Sequence, residues 1–202
     1  MASRHQEWGR AVLLVAVLTL QSCTAARDPW PVERLDPHSA VTTTIMAEPW
    51  VYARDVPAVA VNARDYLHVG LVETNRAGLR GVWLGIVAWS TVDRSALRVP
   101  TQPVRPGQAT LNWSDGTLDL APAAGGREAI GASEPVFPGP QTEFEDAWYL
   151  LSAVQLARLA REPPASVSLT LPDGRVIVYE SWKVDREALG PFLAATGVAG
   201  RR

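Results

Sequence analysis

The sequence is poor in the residues that most often carry chemistry. Its 202 residues include one cysteine, Cys23, and three histidines. A single cysteine excludes an internal disulfide, so any core must hold by packing alone. Only His38 and His68 follow Cys23, and no His-x-x-x-His or Cys-x-x-Cys pair occurs. A zinc site usually takes three or four His, Cys or carboxylate ligands, so no metal and no cofactor is expected. Lysine is almost absent, with Lys183 alone. The formal net charge is −2 and the arginines are not clustered, which argues against nucleic acid as a partner. No apolar run approaches the roughly 20 residues that a membrane-spanning helix needs.

What is present begins with a leader. Residues 1–10 carry Arg4 and Arg10 against Glu7, and Ala11–Leu20 (AVLLVAVLTL) is a ten-residue apolar run. That is the pattern of a secretory signal rather than of a membrane span. It ends in Leu20-Gln21-Ser22-Cys23. The pattern of an aliphatic residue, then a small residue just before a cysteine, resembles the lipobox of bacterial lipoproteins. The resemblance covers residues 1–23 and no family is recognised beyond them. It implies cleavage between Ser22 and Cys23 and lipidation of the Cys23 thiol and of the new amino group. Each buried CH₂ contributes about 0.8 kcal/mol, and two or three acyl chains anchor firmly where one holds marginally. Thr24 stands where an aspartate would resemble the inner-membrane retention signal. The resemblance therefore implies the periplasmic leaflet of an outer membrane.

The remainder divides simply. Residues 23–40 are rich in proline and charge and read as a tether. Residues 41–202 read as a single globular domain, and 47% hydrophobic residues supply ample core. Val41–Met46 is β-branched and reads as the first strand; Pro49–Arg54 reads as its continuation after a bend. Tyr66–Thr74 alternates, Asn75–Gly78 has turn chemistry, and Leu79–Ser90 returns. Because Leu79–Ser90 is apolar on both faces, it should be central and covered on both sides, with Trp83 and Trp89 in the core. Ser95–Val99 reads as a short strand. Ala109–Trp113 and Thr117–Leu120 flank Ser114-Asp115-Gly116 as a hairpin. Ala121–Gln141, with four glycines and four prolines, reads as a long surface loop.

Helix signals come late. Thr142-x-x-Glu145 and Ser152-x-x-Gln155 both look like capping boxes. The reading adopted is a strand over Ala147–Leu151 and a helix over Ala153–Arg161, stopped by Pro163-Pro164. Ser166–Leu171 and Arg175–Val184 pair around Asp173-Gly174. Asp185 then caps a last helix reaching Ala195, which Pro191 should kink or divide. The fold class is α+β: a mainly antiparallel β-sheet with one or two short helices in the C-terminal half.

No catalytic set emerges. His68 has no Cys or second His nearby and reads as a half-buried strand residue. Asp55, Asp65, Glu73 and Asp93 lie near one hairpin, and a carboxylate pair among them would suit a glycosidase; ending strands and capping turns is the plainer role. Gly70, Gly78, Gly81 and Gly85 interrupt strands rather than open a helix, so they are no phosphate loop. The eight tryptophans are distinctive. Trp148, Tyr149 and Trp182 are the candidates for contact with a partner or ligand, Trp182 because Glu180, Ser181 and Lys183 surround it. The expected function is a membrane-anchored envelope lipoprotein, a binding or structural module facing the periplasm, with an envelope protein or cell-wall component as partner. The alternatives are a lipid-anchored hydrolase using carboxylates and a small-ligand carrier.

Overall fold

A computed structural model describes residues 30–92, 105–137 and 144–197. The leader, Cys23, the strand expected at Ser95–Val99, Asp93 and the capping residue Thr142 lie outside the described residues. Ten strands and two helices follow in chain order: β1 (Val32–Leu35), β2 (Thr42–Ile45), β3 (Trp50–Asp55), β4 (Arg64–Arg76), β5 (Leu79–Ser90), β6 (Gln108–Trp113), β7 (Gly116–Leu120), β8 (Glu145–Leu150), α1 (Ala153–Arg161), β9 (Ser166–Thr170), β10 (Val176–Lys183) and α2 (Leu189–Thr196). A 3-10 turn spans Gly126–Ile130. Every strand pairing is antiparallel. The class is α+β with β predominating.

The β4–β5 hairpin is the spine. Ala77 and Gly78 both adopt positive φ, 50° and 92°, which is the two-residue turn whose twist suits a hairpin. Asn75 Oδ1 accepts the Gly78 N–H at 2.9 Å. Pairing then runs without a break from Arg76↔Leu79 to Asp65↔Ser90. The other edge of β4 is shared: Arg64–Val69 pairs with β3 and Val72–Asn75 with β2. Beyond β3 the order continues β10, β9, β6, β7, while β8 pairs with the far edge of β5. The sheet curls until the chain leaving β7 reaches β8, where the Ala123 N–H donates to the Trp148 carbonyl at 2.8 Å.

The curl encloses the main core. Leu67, Leu71, Leu84, Leu111, Leu169 and Phe192, from four strands and α2, are fully buried in one cluster. In this core four aromatics place a polar tip on a backbone carbonyl: Trp50 Nε1 donates to Asp185 (2.8 Å), Tyr52 Oη to Pro164 (2.9 Å), Trp113 Nε1 to Glu162 (2.8 Å) and Tyr149 Oη to Gly107 (2.6 Å). Buried aromatics of this kind fill volume without leaving a polar atom unpaired. They also tie the connecting segments to the interior.

The outer face of β4, β5 and β8 is covered too, as the apolar-on-both-faces pattern of β5 requires. The cover comes from the segment expected to be a surface loop. Ile130, Ala132, Val136 and Phe137 pack with Ile45, Val72, Val87 and Trp148 in a second cluster. Gly70 and Gly85 face one another across β4 and β5 and make room for it. A Cβ on Gly70 would meet Phe137 Cζ at 2.4 Å, and one on Gly85 would meet Trp148 Cζ3 at 2.5 Å. The two rings stack over the gap, 6.1 Å apart and 13° from parallel.

Further expectations are corrected. Val32–Leu35, assigned to the tether, forms β1 on the edge of β2; its side chains are all exposed, so no apolar period marked it. Asp36, also in that stretch, latches the cover. One carboxylate oxygen accepts the Ser133 N–H (2.7 Å) and hydroxyl (2.6 Å), and the other accepts the N–H groups of His38 and Ser39. The strand expected over Ala147–Leu151 is β8, which begins two residues earlier at Glu145 and ends at Leu150. Helix α1 keeps the expected bounds and the reciprocal Ser152–Gln155 capping box. Helix α2 starts at Leu189, so Pro191 falls in its first turn, where backbone N–H groups have no intrahelical acceptor and proline is tolerated. Asp185 instead accepts the Glu187 N–H ahead of the helix.

Candidate binding face

Of the three aromatic candidates, the structure leaves one at the surface. Trp148 and Tyr149 are both fully buried, Trp148 beneath the Phe137 cover and Tyr149 in the main core. They are withdrawn as contact residues. Trp182 is 57% exposed. It sits at an irregularity of β10, where pairing with β3 shifts between Ser181 and Lys183. Bulges re-aim side chains, and this one presents the indole on the outer face of the sheet.

Trp182 does not stand alone. Its edge meets Tyr66 on β4, with ring centroids 6.3 Å apart and planes at 81°. Tyr66 stacks on Trp89 of β5 at 4.4 Å and 12°. The Arg64 guanidinium lies 4.5 Å from the Trp182 ring centroid, a cation–π distance, and its Nε donates to Asp55 at 2.7 Å. Trp89, expected in the core, is half-buried, as is Trp83, whose indole N–H donates to Thr74 Oγ1 at 3.0 Å. The turn position made one of these contacts legible. Pairing outward from Ala77-Gly78 sets Tyr66 opposite Trp89. Arg64 and Tyr66, two apart on β4, share a face by alternation, but nothing local marked Trp182 as their neighbour, because it reaches them through the long-range β3–β10 pairing.

His68 lies beside this group, edge-on to Trp89 at 5.5 Å and 76°. It is half-buried, and burial lowers its pKa below the ordinary histidine value, so the ring is neutral at pH 7. Its Nδ1 and the Trp89 Nε1 are buried and make no hydrogen bond among the described residues.

Among the described residues the carboxylates do not converge. Asp65 is buried inside one end of the sheet and accepts two bonds from Arg54, at 2.6 and 3.0 Å. Glu73 is buried with Arg80 3.3 Å away. Eight residues along one strand separate them, about 27 Å, where glycosidase pairs stand about 5–9.5 Å apart. Asp55 faces outward and bonds Arg64. Among the described residues no group of three His, Cys, Asp or Glu could hold a metal ion, and no helix is long and apolar enough to cross a membrane.

One cleft of about 620 Å³ opens at the seam of the curled sheet, lined in part by Arg105, Gln108, Pro122, Asp146, Thr170 and Pro172. No protein family, curated protein or solved structure matches the chain.

Proposed function

We propose that the protein is a lipid-anchored binding module of the cell envelope. It is held at the periplasmic leaflet of an outer membrane through Cys23, and it recognises an envelope component with the outer face of its sheet around Trp182. The observation that carries the binding role is an exposed indole fixed in orientation by Tyr66, Trp89 and Arg64. A surface aromatic that is already ordered loses little entropy on binding, and tryptophan is enriched among residues that dominate binding energy. The anchoring part rests on Leu20-Gln21-Ser22-Cys23. The separation of Asp65 from Glu73 disfavours the hydrolase alternative.

Fractionation and crosslinking test the two parts separately. Cys23→Ala is expected to abolish labelled-palmitate incorporation and to leave the protein out of the membrane fraction. A photo-crosslinking residue at exposed Val178, with Trp182 left intact, is expected to capture one defined envelope component from the lipidated protein in cells. Capture no different from that at exposed Val61 would remove the binding role. A second reading, small-ligand carriage, is favoured by the seam cleft. It requires that a bulky residue at Gln108 weaken ligand retention while Trp182→Ala does not.

A further inference from the structure

From the chemistry of this face we infer its ligand class: a neutral glycan laid across β10, β9, β6 and β7, with one sugar ring against Trp182. The inference rests on the binding role proposed above and names what is bound.

The pairing registers carry the argument. Tyr66 is opposite Ala53, Ala53 opposite Glu180, Glu180 opposite Ser166, Ser166 opposite Asn112, and Asn112 opposite Thr117. Directly opposed residues share a face, so one straight row crosses the outside of the sheet from aromatic to polar. Next to it run Val178, Ser168, Thr110 and Asp119. From β10 to β7 the row spans three strand spacings, about 14 Å. Glu180, Thr117 and Asp119 are exposed, and Ser166, Asn112 and Thr110 half-buried.

The polar groups are already oriented. Asn112 Nδ2 donates to Ser168 Oγ at 3.0 Å and Ser166 Oγ at 3.2 Å. Thr110 Oγ1 donates to Asp119 Oδ1 at 2.7 Å. The rows thus offer hydroxyls, an amide and two carboxylates, Glu180 and Asp119, beside the exposed Val178, with Ser168 buried beneath them and no Lys or Arg among them. An anionic phosphate polymer would meet only carboxylate charge there. A protein partner would want an apolar, aromatic centre, and interface cores are depleted in serine and acidic residues. A neutral sugar chain fits both ends of the row. Its hydroxyls match the Ser, Asn, Thr and carboxylate groups, and the C–H face of a ring matches the free side of an indole whose other contacts are Arg64 and Tyr66.

The test uses the full-length lipidated protein in detergent, titrated with glucose tetramers and with N-acetylglucosamine tetramers and followed by tryptophan fluorescence and calorimetry. Saturable binding of at least one tetramer is expected. Trp182→Ala should weaken it about tenfold or more, the loss of one hot-spot contact of about 1.4 kcal/mol. Trp182→Phe should retain most affinity, and Asn112→Ala should weaken binding with circular dichroism unchanged. Binding of neither tetramer overturns the inference, as does binding indifferent to Trp182→Ala. Concentration-dependent dimers through this face would also overturn it, assigning the face to a second copy. If position 178 crosslinks a defined envelope protein while neither tetramer binds, the binding role stands and the glycan assignment falls. If both fail, both fall.

Discussion

The curled sheet has two outer faces of opposite character. Over the middle of β4, β5 and β8 the outer residues are Gly70, Gly85, Val72, Val87 and Trp148, and the Ile130–Phe137 segment seals them. Over β10, β9, β6 and β7 they are serines, threonines, Asn112, acids, Val176 and Val178, and all but Ser168 stay at least partly open to solvent. The inner faces of both regions feed the same core. The difference is therefore not one of stability in the interior but of what each outer face has to meet. A face with glycines and a tryptophan needs a lid supplied by its own chain. A face of hydroxyls needs none and is left available.

Four substitutions sharpen that contrast. The largest effect is expected for Trp148→Ala, which removes a fully buried indole from the sealed face. It should cost about 3–5 kcal/mol by chemical denaturation, and a loss under about 1 kcal/mol would show that the cover is not part of the core. Gly70→Ala comes next. The added Cβ meets Phe137 at 2.4 Å, and overpacking of this kind costs about 1–3 kcal/mol. Combined with Phe137→Ala the two losses should sum to less than their separate values, since the second change removes the clash. Additive losses would place Phe137 elsewhere.

The Asp36 latch is the third way to separate the faces. Hydrogen bonds from Ser133, Ser39 and His38 hold its carboxyl well below the usual carboxylate range. The folded state thus binds this proton more weakly than the unfolded chain. The latch's contribution is fully present above the ordinary carboxylate pKa of about 4 and is lost as pH falls through the lower folded value. Asp36→Asn leaves an amide N–H₂ facing the Ser133 donors. Faster amide exchange over residues 131–137 is expected at pH 7, with the covered face responding and the open face not. Equal exchange in both proteins would show the cover is held without Asp36. The smallest effect belongs to the open face. Thr110→Val loses the bond to Asp119 at an accessible site and should change stability by no more than about 0.5 kcal/mol. A large loss would mean that this face, too, is structural.

Local sequence determined a good deal here. Turn residues with a required φ set the β4–β5 and β9–β10 hairpins, and Ser152 with Gln155 set where α1 begins, because each feature depends on neighbours a few residues apart. The two apolar faces of β5 likewise foretold that both would be covered. What covers them was decided by the tertiary structure. A period of two says which residues share a face but not what lies against it. Trp148 beside acidic Asp146 and Trp182 beside Glu180 therefore look alike in sequence, yet Phe137 seals the first and nothing among the described residues seals the second. The same reason hid β1, whose strand is specified by pairing with β2 rather than by burial of its own side chains. It also hid the latch: Asp36 and Ser133 are 97 residues apart, and only the fold brings a carboxylate from one stretch onto the hydroxyl and N–H of the other.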